Sequence, residues 1–258
     1  MGILDRLSLK GKKIYVTGGA QGLGKSMATA LAEAGADLAI VDINGEKATA
    51  AAKEIADATG QQVIAIKTDV TDPQAVTEMV DEVVAKLGGL DVAFNNAGMS
   101  LRIPAEKMAY KDWLRVVDLN LNSVFLCSQA AGRHMLKQGK GSIVNTASMS
   151  AHIANRPQPQ SSYNATKGGV LQLSQSLAIE WAKRGVRVNT ISPGYMGTDM
   201  TLKSPDLQPL IKQWEAWSPL GRMGRPDELQ GIAVYLASDA SSFSTGDDYL
   251  IDGGFTQV

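Results

Sequence analysis

Short apolar runs alternate along the chain with longer stretches whose apolar residues recur at helical spacing. The runs are rich in valine and isoleucine and lack polar alternation, which is typical of strands buried on both faces of a sheet. We expect strands at residues 13–17, 37–42, 63–68, 91–95, 142–146, 186–191 and 249–252. Alanine-rich stretches between them predict helices near residues 26–34, 46–58, 74–87, 110–136, 163–183 and 226–237.

This alternation predicts the fold class. Strand–helix–strand units imply a parallel sheet covered by helices. We therefore expect an α/β protein with a Rossmann-type, doubly wound sheet of about seven strands and helices on both faces. No linker, repeat or low-complexity segment interrupts the 258 residues, which predicts a single domain over residues 1–258.

Two segments lie outside the alternation. Residues 148–162 are a polar loop with two prolines, and residues 194–220 form a long stretch that carries methionines and tryptophans. Long loops in compact domains are usually functional or disordered, and the aromatic residues argue against disorder. We expect a lid over a site at about residues 195–220, built from Tyr195, Met196, Thr198, Met200, Thr201 and Trp214.

Composition excludes several classes of protein. With 25 basic and 26 acidic residues, the chain lacks the basic excess that nucleic acids or anionic membranes require. Its one cysteine excludes an intrachain disulfide, and no zinc-ligand spacing indicates a metal. No apolar run approaches the ~20 residues that span a bilayer, and the start lacks the apolar core of a secretory signal. We expect a cytoplasmic protein.

A glycine-rich turn follows the first predicted strand and precedes a helix. It reads Thr-Gly-Gly-Ala-Gln-Gly-Leu-Gly over residues 17–24. Glycines let the backbone approach a pyrophosphate closely, and the helix start offers N–H groups and a positive dipole end. The turn therefore predicts dinucleotide contacts at Gly18, Gln21, Gly22, Leu23 and Gly24. The alternative is a turn that only closes a loop, since its spacing departs from G-x-G-x-x-G.

An acidic residue ends the second predicted strand. Asp42 follows Gly24 by 18 residues, and Ile43 and Asn44 come next. A carboxylate here accepts both hydroxyls of an adenosine ribose and repels a 2′-phosphate. This position favours NAD over NADP, and a solvated acid at a strand end is the alternative.

Tyr163 and Lys167 lie four residues apart in a predicted helix and so share one helix face. Alone, such a pair is usually two surface neighbours. Ser148 precedes it by 15 residues, and the chain also carries Asn95-Asn96-Ala97-Gly98, Asn120 and a terminal Asp-Gly-Gly at residues 252–254. With the glycine-rich turn, this order of motifs over residues 10–254 resembles the short-chain dehydrogenase/reductase family.

The resemblance implies an oxidoreductase with a nicotinamide cofactor. Tyr163 would be the acid/base, and a nearby Lys167 would lower the pKa of its phenol from about 10 and hold the nicotinamide ribose. Ser148 would orient the reacting oxygen. Asn120 would anchor a water that relays protons, with a purely structural amide as the alternative. Further cofactor contacts are implied at Asp69, Val70, Asn96, Ala97, Gly98, Pro193, Gly194, Met196 and Thr198.

The polar loop after Ser148 points to the substrate. Its Ser150, His152, Asn155 and Gln160 offer hydrogen bonds to several hydroxyls, and such a site discriminates against apolar analogues. Its pattern resembles the polyol-dehydrogenase branch, which interconverts sugar alcohols and ketoses. We expect the substrate at Ser148, Ser150, Asn155 and Tyr163. The alternative is that these polar groups satisfy the loop backbone.

Two other functions remain open. One is a 3-oxoacyl thioester reductase; Asp42 argues against it, because those relatives usually take NADPH. The other is a non-catalytic dinucleotide-sensing protein, against which the intact Ser148, Tyr163 and Lys167 argue.

The helix that carries Tyr163 is apolar on two sides. Val170, Leu173, Leu177 and Trp181 mark one face, and Leu171, Ala178 and Ala182 mark another. A helix that is apolar on two sides is buried on two sides. We expect a second subunit to cover it, and relatives in the family are commonly homotetramers.

Overall fold

The computed structural model describes residues 2–257, without the side chains of Met200 and Asp206. Seven strands form one parallel sheet in the order β3-β2-β1-β4-β5-β6-β7. The strands are β1 (Lys13–Thr17), β2 (Asp37–Asp42), β3 (Val63–Lys67), β4 (Val92–Asn95), β5 (Gly141–Thr146), β6 (Val186–Pro193) and β7 (Asp248–Ile251). The predicted fold class, a doubly wound single-domain α/β protein, is confirmed.

Helices cover both faces of this sheet. They are α1 (Ile3–Leu7), α2 (Gly22–Glu33), α3 (Gly45–Thr59), α4 (Pro73–Leu87), α5 (Tyr110–Val117), α6 (Ser123–Gln138), α7 (Ser161–Trp181), α8 (Asp199–Leu202), α9 (Gln208–Trp217) and α10 (Gln230–Ala237). None of them is both long and apolar enough to cross a membrane.

Local signals fix where these helices begin and end. At the start of α4, the Asp72 side chain accepts the backbone N–H groups of Gln74 and Ala75, which satisfies donors that have no partner inside the helix. Pro73 occupies the first turn, where its missing N–H costs nothing. Gly88 ends the helix at φ 82°, a left-handed conformation that glycine adopts without strain.

Alternate residues of the central strand face two separate cores. Ile14 and Val16 pack with α2 and α10, whereas the intervening Tyr15 packs with α4 and α6. All three side chains are fully buried. This two-sided burial is the reason that the strands read as continuous apolar runs in the sequence.

The sheet order creates the crevice in which the site lies. The chain builds outward from β1 through β2 to β3, and then crosses back to lay β4 on the other side of β1. At such a reversal the connections leave in opposite directions, and ligands bind outside the carboxyl ends of the strands. Thr17 and Asn95 end the two strands that flank this point.

Two predicted segments differ from the structure. The long helix predicted at 110–136 contains a π-helical turn, Asp118–Asn122, between α5 and α6. The stretch 194–220 is not a plain loop, because it holds α8, α9 and a 3-10 turn. Leu207, Trp214 and Met223 form a small core of their own there, which supplies the burial that an irregular segment lacks.

Candidate active site

The glycine-rich turn packs directly against the segment that follows β4. A Cβ on Gly24 would lie 2.2 Å from the carbonyl oxygen of Gly18, and one on Gly18 would lie 3.1 Å from the Cα of Ala97. Gly18 and Gly22 also have φ angles of 61° and 57°, which side chains rarely adopt. Glycine is therefore required at these positions by the shape of the turn.

The turn fits the pyrophosphate of a dinucleotide. Helix α2 has 12 residues and begins at Gly22, and its N-cap residue Gln21 makes no side-chain hydrogen bond to the helix. Its first backbone N–H groups therefore have no side-chain cap, and the positive end of the helix dipole faces the crevice. An anion can be held there by backbone alone, which agrees with the near-neutral charge of the chain.

Asp42 lies beside this turn at the end of β2. Its carboxylate accepts the backbone N–H of Asn44 at 3.0 Å and that of Ala20 at 3.4 Å. The ammonium of Lys47 on α3 donates to the side chain of Gln21 at 3.1 Å. The sequence interpretation considered only the residues directly after Asp42, and so it missed this cation.

The remaining predicted cofactor residues lie at or after the carboxyl ends of β3, β4 and β6. Thr17 Oγ1 accepts the backbone N–H groups of Asn96 and Ala97, at 2.9 and 3.1 Å. Further along the sheet edge, a Cβ on Gly194 would lie 2.7 Å from the Cα of Asp252. Gly98 lies beside Asn120. Val70 is buried, Asp69 is exposed, Pro193 ends β6, Met196 lines the cavity described below, and Thr198 caps α8.

Ser148, Tyr163 and Lys167 meet at the carboxyl end of β5. Ser148 lies two residues beyond the end of this strand, and Tyr163 lies in the first turn of α7. One turn later, the buried Lys167 Nζ donates to the carbonyl oxygen of Thr146 at 2.6 Å, which joins α7 to the strand end. The same nitrogen lies 5.6 Å from the centre of the Tyr163 ring.

Burial perturbs both ionisable groups. It lowers the pKa of Lys167 to about 8, because a charged ammonium is costly inside the protein. It also raises the pKa of Tyr163, and the neighbouring Ser148 hydroxyl acts in the opposite direction. Tyr163 opens onto a cavity but is otherwise enclosed by protein. The raised pKa of Tyr163 favours the neutral phenol, whereas the sequence predicts a lowered pKa for this residue.

Asn120 holds the segment after β4 in place. The π-helical turn carries its fully buried amide, which accepts the backbone N–H of Met99 and donates to the carbonyl of Met99, both at 2.8 Å. It also donates to Thr166 at 3.2 Å. A Cβ on Gly98 would lie 3.2 Å from the Asn120 oxygen and 3.8 Å from Lys167 Nζ. These contacts suit the structural alternative, and the water relay stays a prediction.

One cavity of about 230 Å³ unites the catalytic and substrate candidates. The residues that the sequence offered for the reacting centre and the substrate all line it, namely Ser148, Tyr163, Ser150, Asn155 and Gln160; their contact with substrate stays a prediction. This volume is below the roughly 300–1,000 Å³ typical of drug-sized ligands, so the cavity suits a small substrate. Residues 195–220 contribute Tyr195, Met196, Thr198, Thr201, Leu207 and Trp214 to its wall; the predicted contribution of the Met200 side chain lies outside the described part.

His152 lies elsewhere. Its Nε2 is 2.6 Å from a carboxylate oxygen of Asp248 on β7, and it is not among the described residues that line the cavity. The 3-10 turn after Ser148 places this side chain at Asp248, which suits a structural histidine, and a contact with substrate stays a prediction.

Sequence reasoning missed several residues that line the cavity, among them Ser100, Arg102 and Gln158. Ser100 and Arg102 follow the carboxyl end of β4 closely, so their position after a predicted strand at the switch point was a usable signal. Gln158 is only 6% exposed, and the two prolines that flank it in a polar loop gave no sign of this burial. Among residues 2–257, no cluster of three or more His, Cys, Asp or Glu side chains is placed to hold a metal.

The chain matches known proteins over nearly its whole length. A family model described as enoyl-(acyl carrier protein) reductase matches residues 18–256. The sorbose reductase sou1 of Schizosaccharomyces pombe is 46% identical over 96% of this chain and 97% of its own length. An NADP-dependent mannitol dehydrogenase of Hypocrea jecorina is 43% identical over 98% of this chain and 96% of its own.

A solved structure extends the match to the whole fold. A short-chain type dehydrogenase/reductase from Mycobacterium marinum superposes with a TM-score of 0.95 at 43% identity, over 99% of both chains. The family binds a nicotinamide dinucleotide and contains oxidoreductases that act on alcohols. This chain belongs to the short-chain dehydrogenase/reductase family and resembles its polyol-dehydrogenase branch.

Proposed function

We propose that the protein is an NAD-dependent oxidoreductase that interconverts a polyol and a ketose. The observation that carries this proposal is the cavity itself, in which Ser148 and Tyr163 share one small space with the amides of Asn155, Gln158 and Gln160. A wall of this kind pairs with hydroxyls and is poorly suited to the alkyl chain of an acyl thioester. The named activities of the sorbose and mannitol relatives agree with it.

The cofactor, when bound in the crevice, supplies the atom that accepts or gives the hydride. As the phenolate, Tyr163 takes the proton of the substrate hydroxyl at its oxygen during oxidation, and as the phenol it gives a proton back to that oxygen during reduction. Ser148 hydrogen-bonds the same substrate oxygen and orients it toward that phenol. Both side chains come from the carboxyl end of β5 and the start of α7, which the Lys167–Thr146 bond holds together.

Lys167 supplies the charge that this proton transfer needs. With a pKa of about 8, its ammonium is still mostly protonated at pH 7. A positive charge 5.6 Å from the Tyr163 ring favours the phenolate over the phenol. Lys167 therefore works against the burial that raises the pKa of Tyr163, and its ammonium is held in place by the N–H that it donates to the Thr146 carbonyl.

Asp42 is the basis for choosing NAD. The 2′-hydroxyl of NAD can donate to its carboxylate, whereas the 2′-phosphate of NADP would be repelled. Two observations favour NADP instead. The ammonium of Lys47 on α3 reaches Gln21 in the glycine-rich turn, and the mannitol dehydrogenase of Hypocrea jecorina is named NADP-dependent. The carboxylate lies at the strand end itself and the lysine is tied to an amide, so we assign the preference to Asp42.

The Asp42→Ala variant is expected to lower the NAD-to-NADP ratio of kcat/KM by about 10- to 100-fold. The variant removes hydrogen bonds to a charged acceptor, each of which is worth about 1.5–3 kcal/mol, together with the repulsion of a phosphate. Initial rates with each cofactor measure the ratio. Asp57→Ala is the control, because Asp57 is an exposed acid of α3 that pairs with Lys53. An unchanged ratio in Asp42→Ala would contradict the assignment to Asp42.

A substrate panel tests the proposed function. Nicotinamide absorbance is followed with hexitols, pentitols, ketoses and an acetoacetyl thioester, each with both cofactors. We expect the highest kcat/KM on a polyol or ketose. A higher value on the thioester would favour the reductase alternative, and binding of cofactor without turnover of any secondary alcohol would favour a sensing protein.

We also propose a homotetramer. Large apolar side chains are exposed on the helices around the Tyr163 helix: Tyr110 and Leu114 on α5, Phe125 on α6, and Ile179, 83% exposed, on α7 itself. Exposed apolar residues on adjoining helices mark a surface that a second copy covers. Light scattering at micromolar concentration should give about four times the 27.3 kDa chain mass. A monomeric mass would overturn this proposal.

A further inference from the structure

A closed ring of hydrogen bonds lines one wall of the cavity. Gln158 donates to the side-chain oxygen of Gln160 at 3.3 Å, and Gln160 donates to that of Asn164 at 3.2 Å. Asn164 donates to the side-chain oxygen of Asn155 at 3.1 Å. Asn155 and Gln158 then both donate to the Tyr195 hydroxyl, at 3.0 and 2.7 Å.

A backbone carbonyl fixes the direction of the whole ring. The Asn164 Nδ2 donates to the carbonyl oxygen of Ile153 at 2.8 Å, so the amide of Asn164 has only one possible orientation. The Asn164 oxygen must then accept a hydrogen bond from the nitrogen of Gln160. The oxygen of Gln160 therefore faces Gln158 and accepts from the nitrogen of that amide. Asn164 Nδ2 also donates to the side-chain oxygen of Asn155, so the nitrogen of Asn155 faces Tyr195.

Two complementary groups are left over. The Tyr195 hydroxyl accepts two hydrogen bonds, and within the described chain its own hydrogen has no acceptor. Gln158 makes hydrogen bonds only through its nitrogen, and its buried Oε1 has no partner within the described chain. A buried polar atom without a partner costs about 1–3 kcal/mol, so this arrangement suits a ligand that completes it. A free donor beside a free acceptor matches a hydroxyl group, which both accepts and donates.

Aromatic packing holds the free hydroxyl in place. Tyr195 stacks on Trp214, with ring centres 3.9 Å apart and planes 8° apart, and Phe255 meets it edge-on at 5.1 Å. Burial raises the pKa of Tyr195, so its phenol stays protonated and remains a donor. A rigid donor loses little entropy when a ligand binds.

We propose that Tyr195 and Gln158 together bind one substrate hydroxyl that is not the reacting one, and so make the enzyme prefer polyols over simple secondary alcohols. This inference rests on the proposed function. Ser148 and Tyr163 hold the reacting oxygen, and Tyr195 and Gln158 line the same cavity. A substrate with a single hydroxyl leaves the pair unfilled, whereas a polyol satisfies both groups at once.

The test compares a hexitol with 2-butanol, which has one hydroxyl. Tyr195→Phe keeps the ring that stacks on Trp214 and removes only the hydroxyl. We expect the hexitol-to-butanol ratio of kcat/KM to fall about five- to tenfold, with little change on 2-butanol. A general loss of structure would lower both rates together and leave the ratio unchanged.

A second variant and a control complete the experiment. Gln158→Met removes the free acceptor at nearly constant volume and should lower the ratio similarly. The double variant should lower it by much less than the product of the two effects, since both groups bind one hydroxyl. Tyr235→Phe is the control, because it removes a phenol that bonds Ser244 away from the cavity, and it should leave the ratio unchanged.

The outcomes separate this inference from the proposed function. If the wild type prefers the hexitol and neither Tyr195→Phe nor Gln158→Met changes the hexitol-to-butanol ratio, the hydroxyl site is overturned and the proposed function stands. A wild type with no preference for the hexitol overturns both.

Discussion

Replacing Tyr163 by phenylalanine is expected to lower kcat by about 10²- to 10⁴-fold, the usual contribution of a positioned acid/base. Phenylalanine keeps the ring that faces the cavity and Lys167 and removes the atom that exchanges the proton. The dinucleotide crevice is built from β1, β2 and α2 and keeps its shape. The Kd for NAD should therefore change by less than about threefold, which is under 1 kcal/mol.

Steady-state rates and fluorescence titration with NADH measure the two effects separately. Tyr235→Phe is the matched control, because its phenol bonds Ser244 away from the cavity, and it should keep full activity. Residual activity of Tyr163→Phe within tenfold of the wild type would show that another group transfers the proton. A parallel loss of NADH binding would show that the residue acts through the fold of the crevice.

Replacing Lys167 by methionine is expected to abolish most turnover and yet stabilise the protein at pH 7. Burial lowers the pKa of Lys167 from 10.5 in the unfolded chain to about 8 in the fold. Below pH 8 both states hold the proton, and the folded state bears the full cost of a buried charge. Between pH 8 and 10.5 the unfolded state binds more protons, so the stability of the wild type rises with pH over that window.

The pH-dependent part of this cost is about 3 kcal/mol, at 1.36 kcal/mol for each unit of the pKa change. Replacement by methionine removes this cost of burying the charge. It also removes the hydrogen bond to the Thr146 carbonyl, which is worth about 1.5–3 kcal/mol because its donor is charged. The free energy of unfolding should therefore rise by about 1 kcal/mol at pH 7. Above pH 10 the gain should vanish or reverse.

Urea denaturation at pH 7 and pH 10 measures this difference. Lys53→Met is the control, because the Lys53 side chain is 75% exposed on α3 and its replacement removes no buried charge. A gain for Lys167→Met that is the same at both pH values would contradict a buried charge. Full retention of activity would contradict the proposed role of Lys167 beside Tyr163.

Much of the candidate site could be predicted because its chemistry is local in sequence. Tyr163 and Lys167 share a helix face through a four-residue spacing, and the turn at residues 17–24 carries its geometry in its glycines. By contrast, the bonds of Asn120 to Met99 and of Gln158 to Tyr195 join residues 21 and 37 positions apart. No periodicity reports such pairs, because side chains meet there only after the sheet has been assembled.

The pKa of Tyr163 shows the same division. The sequence places a lysine near the phenol and so predicts a lowered pKa, but it gives no measure of burial at either group. In the folded chain burial dominates, raising the pKa of Tyr163 and lowering that of Lys167. Desolvation of a group depends on every element that packs around it, and a sequence motif carries no information about that packing.

The amino-acid sequence by itself determined the parallel α/β fold, the glycine-rich turn and the pairing of Tyr163 with Lys167. It does so because strand burial, helical spacing and glycine geometry act over a few neighbouring residues. Only the tertiary structure decided which polar side chains face the cavity. It places His152 at Asp248, and it leaves Gln158 and Tyr195 with hydrogen-bonding atoms that have no partner in the described part of the chain. The physical reason is that hydrogen-bond partners and desolvation are set by contacts between distant segments, which form only when the sheet brings its carboxyl ends together.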